Sequence, residues 1–222
     1  MVSNDEIMVV VDATNRDVRS LRNMRGDFVQ EINGHTLEYF DDEHVYLVDG
    51  LIVPSITQLL KVKFGNKYDG VSRSTLQRAS EAGTAVHEAI ERYCETGEMA
   101  DLPEVRNFKF LQKQYKFKVL ENEVPVILFL KDEPISAGRL DMVIEMGGHI
   151  GGADIKRTSA LDKDYLFYQL NLYRIAYRQS HGVEWDLLRG IHLRENTRKF
   201  VPIPVNEDMA WMLVHQYMEE NK

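Results

Sequence analysis

A single cysteine, Cys94, stands among 222 residues. One thiol cannot close an internal disulfide, build a cysteine-based zinc site or hold a cysteine-ligated iron–sulfur cluster. No apolar run reaches the roughly eighteen residues that a bilayer-crossing helix needs. The longest, Val124–Leu130, is interrupted by Pro125. The first residues lack a basic segment followed by an apolar core, so no secretory address is expected. The chain has no repeat at solenoid period, no low-complexity tract and no glycine-rich loop of the phosphate-cradling kind. These absences lead to the expectation of a cytoplasmic protein with no membrane contact. Hydrophobic residues at 44% and charged residues at 28% suffice for a folded domain with a core.

A basic excess is also missing, since the formal net charge is −8. Proteins that hold nucleic acid neutralise phosphates with Lys and Arg, so this charge argues at first against such a partner. Its distribution removes the objection. Residues 1–50 hold four Arg and no Lys against eleven Asp and Glu, a net of −7. The rest of the chain is close to neutral. Within 103–118, Arg106, Lys109, Lys113, Lys116 and Lys118 face only Glu104, and Lys61, Lys63, Lys67, Arg73 and Arg78 form a second basic stretch. Each could be a solvated helix face, but a polyanionic substrate is not excluded.

Residues 1–37 carry weak periodicity and are expected to form an acidic arm or subdomain, with the main domain over 38–222. Tyr39–Phe40, Val45–Val48 and Leu51–Val53 are β-type runs, the last two joined by the hairpin signal Asp49–Gly50. Ser55 is placed to cap a short helix over 56–61. The pattern predicts a long helix over 72–96, opened by Ser72 or Ser74 and closed by Gly97, and another over 104–118. Strands are expected near 124–130, 135–145, 150–156, 187–193 and 200–205, with helices over 163–180 and 206–220. The fold class that follows is α/β or α+β: a central mixed β-sheet flanked by helices, preceded by the arm and a β-hairpin.

Chemistry concentrates in Gly138-Arg-Leu-Asp141 and Asp154-Ile-Lys156-Arg-Thr158. Side chains alternate along a strand, so Asp154 and Lys156 share a face while Ala153 and Ile155 point the other way. A two-residue turn at Gly147–Gly148 sets Asp141 directly across from Asp154. Opposed like charges at about 4.5–5.5 Å between Cβ atoms are destabilising unless a cation joins them. Hard oxygen ligands suit Mg²⁺ or Mn²⁺. The plainer alternative is two aspartates capping turns, with Lys156 as their ion-pair partner.

On the helix over 72–96, His87 and Glu91 lie four apart on one face, beside an apolar face of Val86, Ala89, Ile90 and Tyr93. His87 is either a satisfied helix histidine or the imidazole of a mixed imidazole–carboxylate site. Gly83, one turn earlier, either permits close packing or weakens the helix. On the helix over 163–180, Gln169 and Tyr173 are four apart within an aromatic stripe, where a buried amide needs partners. The remaining histidines have no metal-ligand spacing, and Ser55, Ser136 and Cys94 lack a nucleophile's surroundings.

Together these segments resemble the PD-(D/E)XK nuclease superfamily, in its RecB-like branch near phage-type exonucleases. The likeness covers roughly 52–180. It rests on Gly83-Thr-Ala-Val-His87 with Glu91, Ala137-Gly-Arg-Leu-Asp141, Asp154-Ile-Lys156-Arg-Thr158 and Gln169-Leu-Asn-Leu-Tyr173, with Val53-Pro-Ser-Ile-Thr-Gln-Leu-Leu60 resembling the opening of phage-related members. The resemblance implies a restriction-endonuclease-like core and a metal-dependent deoxyribonuclease, an exonuclease rather than a sequence-specific endonuclease, in which metal-bound water attacks the phosphodiester. It implies catalytic roles for Asp141, Asp154 and Lys156, and metal ligation by His87, Asp141, Asp154 and the Ile155 carbonyl, with Mg²⁺ or Mn²⁺ as cofactor. Glu91, Glu123, Gln169 and Tyr173 would support the site or contact DNA, and Arg73, Arg78, Lys109, Lys113 and Lys116 would follow the substrate backbone. DNA is the implied partner, together with a homo-oligomer or a recombination partner protein. The alternative is a catalytically silent nuclease-like module that binds DNA or a partner. The single cysteine excludes the iron–sulfur subtype.

Overall fold

The computed structural model describes residues 26–65 and 70–221, so most of the acidic segment, and Lys67, lie outside the described residues. Contacts divide the chain into two compact units, Met1–Val53 and Pro54–Lys222. Among the described residues, no helix is long and apolar enough to cross a membrane.

The described part of the first unit is an antiparallel meander of β1 (Phe28–Ile32), β2 (His35–Phe40), β3 (Val45–Val48) and β4 (Leu51–Val53), in the order β1-β2-β3-β4. Asp49–Gly50 makes the expected turn, and Asn33–Gly34 makes a second, each with both residues at positive φ. Such a turn matches the twist of its flanking strands. Residues 28–37 thus carry a strand and half of another where only weak periodicity is legible. Leu37, Leu47 and Val48 are buried, and Tyr39 and Tyr46 pack with ring centroids 4.5 Å apart.

The second unit is the expected mixed sheet with helices on its faces. Its elements are α1 (Ile56–Leu59), α2 (Lys61–Phe64), α3 (Arg73–Thr96), α4 (Pro103–Tyr115), β5 (Phe117–Leu130), β6 (Glu133–Met146), β7 (His149–Lys156), α5 (Lys163–His181), β8 (Leu187–Arg194), β9 (Thr197–Ile203) and α6 (Glu207–Glu220). The five strands run in the order β5-β6-β7-β8-β9. Only β7 and β8 pair in parallel, with α5 as the crossover. One core joins α1, α5 and α6 to the sheet through residues such as Ile56, Leu170 and Leu213. The other joins α3 and α4 through Ile90, Phe108, Ala153 and Ile155.

Local signals explain the helix limits. Ser55 and Gln58 form a reciprocal capping box at α1. Ser72 caps α3, Asp162 caps α5 and Asn206 caps α6, each accepting a backbone N–H. The helix expected over 104–118 ends earlier, at Tyr115, because Lys116 turns left-handed at φ 55° and starts β5. The space beside Gly83 is open, with nothing within 4 Å of where a Cβ would stand, so close packing does not account for it.

Candidate metal centre

The site forms where the strand ladder opens. Gly147 and Gly148, at φ 62° and 85°, make the two-residue turn between β6 and β7. From it the expected register runs through Met146↔His149 to Met142↔Ala153 and then stops, one pair short of Asp141 and Asp154. On the other edge of β6 the ladder passes from Asn122↔Met142 to Val124↔Leu140, skipping Glu123 and Asp141, which face each other in the gap. Glu123 sits there at φ 48°, a left-handed conformation inside a strand. Three strands therefore bring Glu123, Asp141 and Asp154 to one part of the sheet, but the Asp154 carboxylate, expected as a ligand, is not among the clustered donors.

Helix α3 brings the imidazole. Val86, Ala89 and Ile90 bury its inner stripe, and His87 projects from the edge of that stripe. His87 Nδ1 lies 3.6 Å from Asp141 Oδ1 and 4.0 Å from Glu123 Oε1. One ligand atom from each of His87, Glu123 and Asp141 lies within 4.8 Å of the others. An octahedral cation with bonds of about 2.1 Å spaces its ligands roughly 3 Å apart when adjacent and 4.2 Å when opposite. The three donors are close enough together to hold one metal ion. Carboxylates are hard donors and imidazole a borderline one, so the set alone does not select one divalent metal.

Asp141 uses its other oxygen structurally. Oδ2 accepts the Ile155 N–H at 2.6 Å, replacing the ladder bond lost where the pairing stops. The link between Ile155 and the cluster is thus through its amide N–H. Asp154 is 2% exposed, and its Oδ1 accepts from Gln169 Nε2 at 2.8 Å. Its Oδ2 forms an ion pair with Lys156 Nζ at 2.6 Å. The shared face expected for Asp154 and Lys156 is present, and the plain ion pair between them exists alongside the ligand cluster.

Helix α5 supports the site from behind. Gln169 and Tyr173 are both buried, so the amide in the aromatic stripe finds its partner in Asp154. The Tyr173 hydroxyl donates to the Arg139 carbonyl at 3.0 Å. A Cβ on Gly138 would stand 3.1 Å from the Tyr173 ring, so a glycine there lets α5 approach β6. Segment 54–55 holds the same stretch of β6 from the other direction, the Pro54 carbonyl accepting from Ala137 N and Ser136 Oγ.

Burial dominates the electrostatics of the cluster. Burial first, then the Asp141 charge, push the Glu123 carboxyl up to about 7, against the pull of Arg139. Burial also raises Asp154, opposed by Lys156 and reinforced by Asp141. Burial alone would lower Lys156, but Asp154 and Asp141 outweigh it and hold the ammonium charged. Glu91, at the rim, is raised by burial and by Glu95.

Two partners were not singled out in the sequence. Arg139 Nε lies 2.7 Å from Glu123 Oε2; strand alternation puts it on the face of Asp141, which was a usable signal. Arg157 Nε donates to Glu104 Oε1 at 2.8 Å, with Glu104 buried in the first turn of α4. No spacing announces that pair. The basic residues Arg73, Arg78, Lys109, Lys113 and Lys116 are all exposed and stand outside the cluster. Arg73 lies about 20 Å along α3 from His87 at the usual helical rise.

No protein-family model and no curated protein matches this chain. Among solved structures, one titled "Crystal structure of SSO0001" is similar to it, with a TM-score of 0.44 and 15% identity over 77% of each chain. That likeness is too distant to bear on the reaction.

Proposed function

We propose that this chain is a metal-dependent deoxyribonuclease of the PD-(D/E)XK kind, acting as an exonuclease. The observation that carries the reading is the convergence of His87, Glu123 and Asp141 beside the buried Asp154–Lys156 pair. Strand pairing, helix capping and core packing do not require an imidazole and two carboxylates at a gap in a ladder. The repulsion between the Glu123 and Asp141 carboxylates is a cost that a cation would remove.

A divalent cation held there would supply Lewis acidity toward a phosphoryl oxygen and charge neutralisation. The chain's own groups do the rest. Lys156, kept charged by Asp154 and Asp141, is placed to orient a water or to stabilise negative charge developing on the phosphate. Gln169 fixes the Asp154 carboxylate in one rotamer by donating to Oδ1. Arg139 holds Glu123, so that the carboxylate facing His87 is positioned before substrate arrives. Exposed lysines on α4 provide a cationic surface for the phosphate backbone.

Hydrolysis of linear DNA in Mn²⁺ by the full chain is the test, with Asp154→Ala and Asp141→Ala alongside. Cutting by the parent chain, loss in both variants, and loss of the calorimetric Mn²⁺ signal in Asp141→Ala are expected. Mn²⁺ binding without any hydrolysis would favour the silent binding module. No metal response at all would leave an ion-paired hairpin and overturn the reading.

A further inference from the structure

Outside the ligand cluster, an open surface cavity of ≈ 460 Å³ lies between Asn107 of α4 and the β8–β9 hairpin. It is lined by Asn107, Glu195, Asn196, Thr197, Arg198 and Lys199. Asn107 is buried and organises the wall. Its Nδ2 donates to the Arg194 carbonyl at 2.8 Å and the Glu195 carbonyl at 3.3 Å, and its Oδ1 accepts from Arg198 Nη1 at 3.3 Å. The Arg198 guanidinium carbon also stands 3.9 Å from the centroid of the Phe110 ring. A long, solvent-facing arginine is thus fixed by a hydrogen bond and a stacking contact without any ligand. Such fixing reduces the side-chain entropy lost on binding and preserves a planar fork suited to a phosphate.

The cavity lies at the end of the sheet that carries the ligand cluster. Lys156 and His192 are neighbours in the parallel β7–β8 ladder. Strand β8 continues two residues to Arg194, so the hairpin tip stands roughly 7–10 Å beyond Lys156 at the usual strand rise. Two contacts brace this end. Arg157, next to Lys156, pairs with buried Glu104 of α4, and His192 Nε2 donates to the Thr158 carbonyl at 2.7 Å. Arg194, Arg198 and Lys199 are exposed around the cavity, and Lys109 and Lys113 are exposed along α4. Glu195 is the one carboxylate in the lining and opposes an anion.

We propose that this cavity is a second phosphate subsite, which holds a phosphodiester of the substrate strand a few nucleotides from the bond that is cut. It rests on the nuclease reading for its substrate and on the fixed Arg198 for its place. Arg198 supplies the fork, Lys199 a second charge, and Thr197 and Asn196 neutral donors. A substrate must then be an oligonucleotide long enough to reach it. A lone phosphodiester gains nothing from it.

Two measurements on the full chain test this. The first is fluorescence anisotropy of a short 5′-fluorescein oligodeoxynucleotide in EDTA, with Arg198→Ala, Lys199→Ala and Glu195→Gln. Arg198→Ala is expected to weaken binding roughly tenfold and to lower the slope of log affinity against log salt by about one. Lys199→Ala, which leaves the Phe110 contact intact, should act in the same direction, and Glu195→Gln should tighten binding. The second is hydrolysis in Mn²⁺ of the same oligonucleotide and of bis(p-nitrophenyl) phosphate. KM for the oligonucleotide should rise in Arg198→Ala with kcat retained, while turnover of the small ester is unchanged. Parent-like binding by both alanine variants would overturn the subsite, as would equal losses on the two substrates. So would a parent chain that binds no oligonucleotide. A chain that cuts DNA but binds independently of Arg198 and Lys199 refutes the subsite alone. One that binds through them but never cuts refutes the nuclease reading alone.

Discussion

Glu123 holds a left-handed conformation at φ 48° within β5, which costs a non-glycine residue roughly 1–2 kcal/mol. That cost places its carboxylate across the gap from Asp141 and within 4.0 Å of His87. With its carboxyl pushed up to about 7 from an ordinary value of 4.5, ionisation is what the fold resists. The stability tied to this group is therefore complete below about 4.5 and lost as pH rises through about 7. Thermal unfolding of the metal-free protein should occur at lower temperature at pH 8 than at pH 6, and Glu123→Gln should flatten that difference. An identical pH dependence in parent and variant would contradict the assignment. Cys94 gives a second prediction at this scale. Burial, then Glu95 and Glu91, push its thiol up to about 12. Alkylation by iodoacetamide at pH 8 should be slower in the folded chain than in urea by on the order of a hundredfold. Comparable rates would show an accessible thiolate.

Between elements, the contact of α5 with β6 depends on a missing side chain. Gly138→Ala would push a Cβ to 3.1 Å from Tyr173 and disturb its bond to the Arg139 carbonyl. Overpacking of that kind costs about 1–3 kcal/mol. The variant should melt lower and lose DNA hydrolysis out of proportion to its unfolded fraction, because Arg139 holds Glu123. Parent-like activity would show that α5 does not set the site. Element limits were largely legible, since caps and stops are written locally: Ser55, Ser72, Gly97, Asp162 and Asn206 all act where their types suggest. The early stop of α4 at Tyr115 was not, because a left-handed Lys116 has no sequence signature. Strand β1 was missed although Asn33–Gly34 is a hairpin signal, since apolar alternation around it is weak.

Over the whole molecule, a net charge of −8 conceals two regimes, an acidic first quarter and a nearly neutral remainder with a basic α4. Strand register alone set Asp141 against Asp154 with Lys156 on the same face, whereas His87 joined them only through the family resemblance, since helical spacing does not say what a helix faces. The sequence left Glu123 as a lesser candidate, because only the skipped pair in the β5–β6 ladder turns it toward the cluster. Arg139–Glu123 and Arg157–Glu104 join segments distant in sequence, and such pairs follow from packing alone. The fold brings together a candidate ligand cluster and a buried carboxylate–ammonium pair, and the proposed role of this assembly is to cut DNA. Release of label from end-labelled linear DNA in Mn²⁺, by the parent chain and by Lys156→Ala, tests that claim most directly. The parent should release label, EDTA should stop it, and Lys156→Ala should be slower by roughly a hundredfold or more. Equal rates in the two proteins, or release that persists in EDTA, would contradict it.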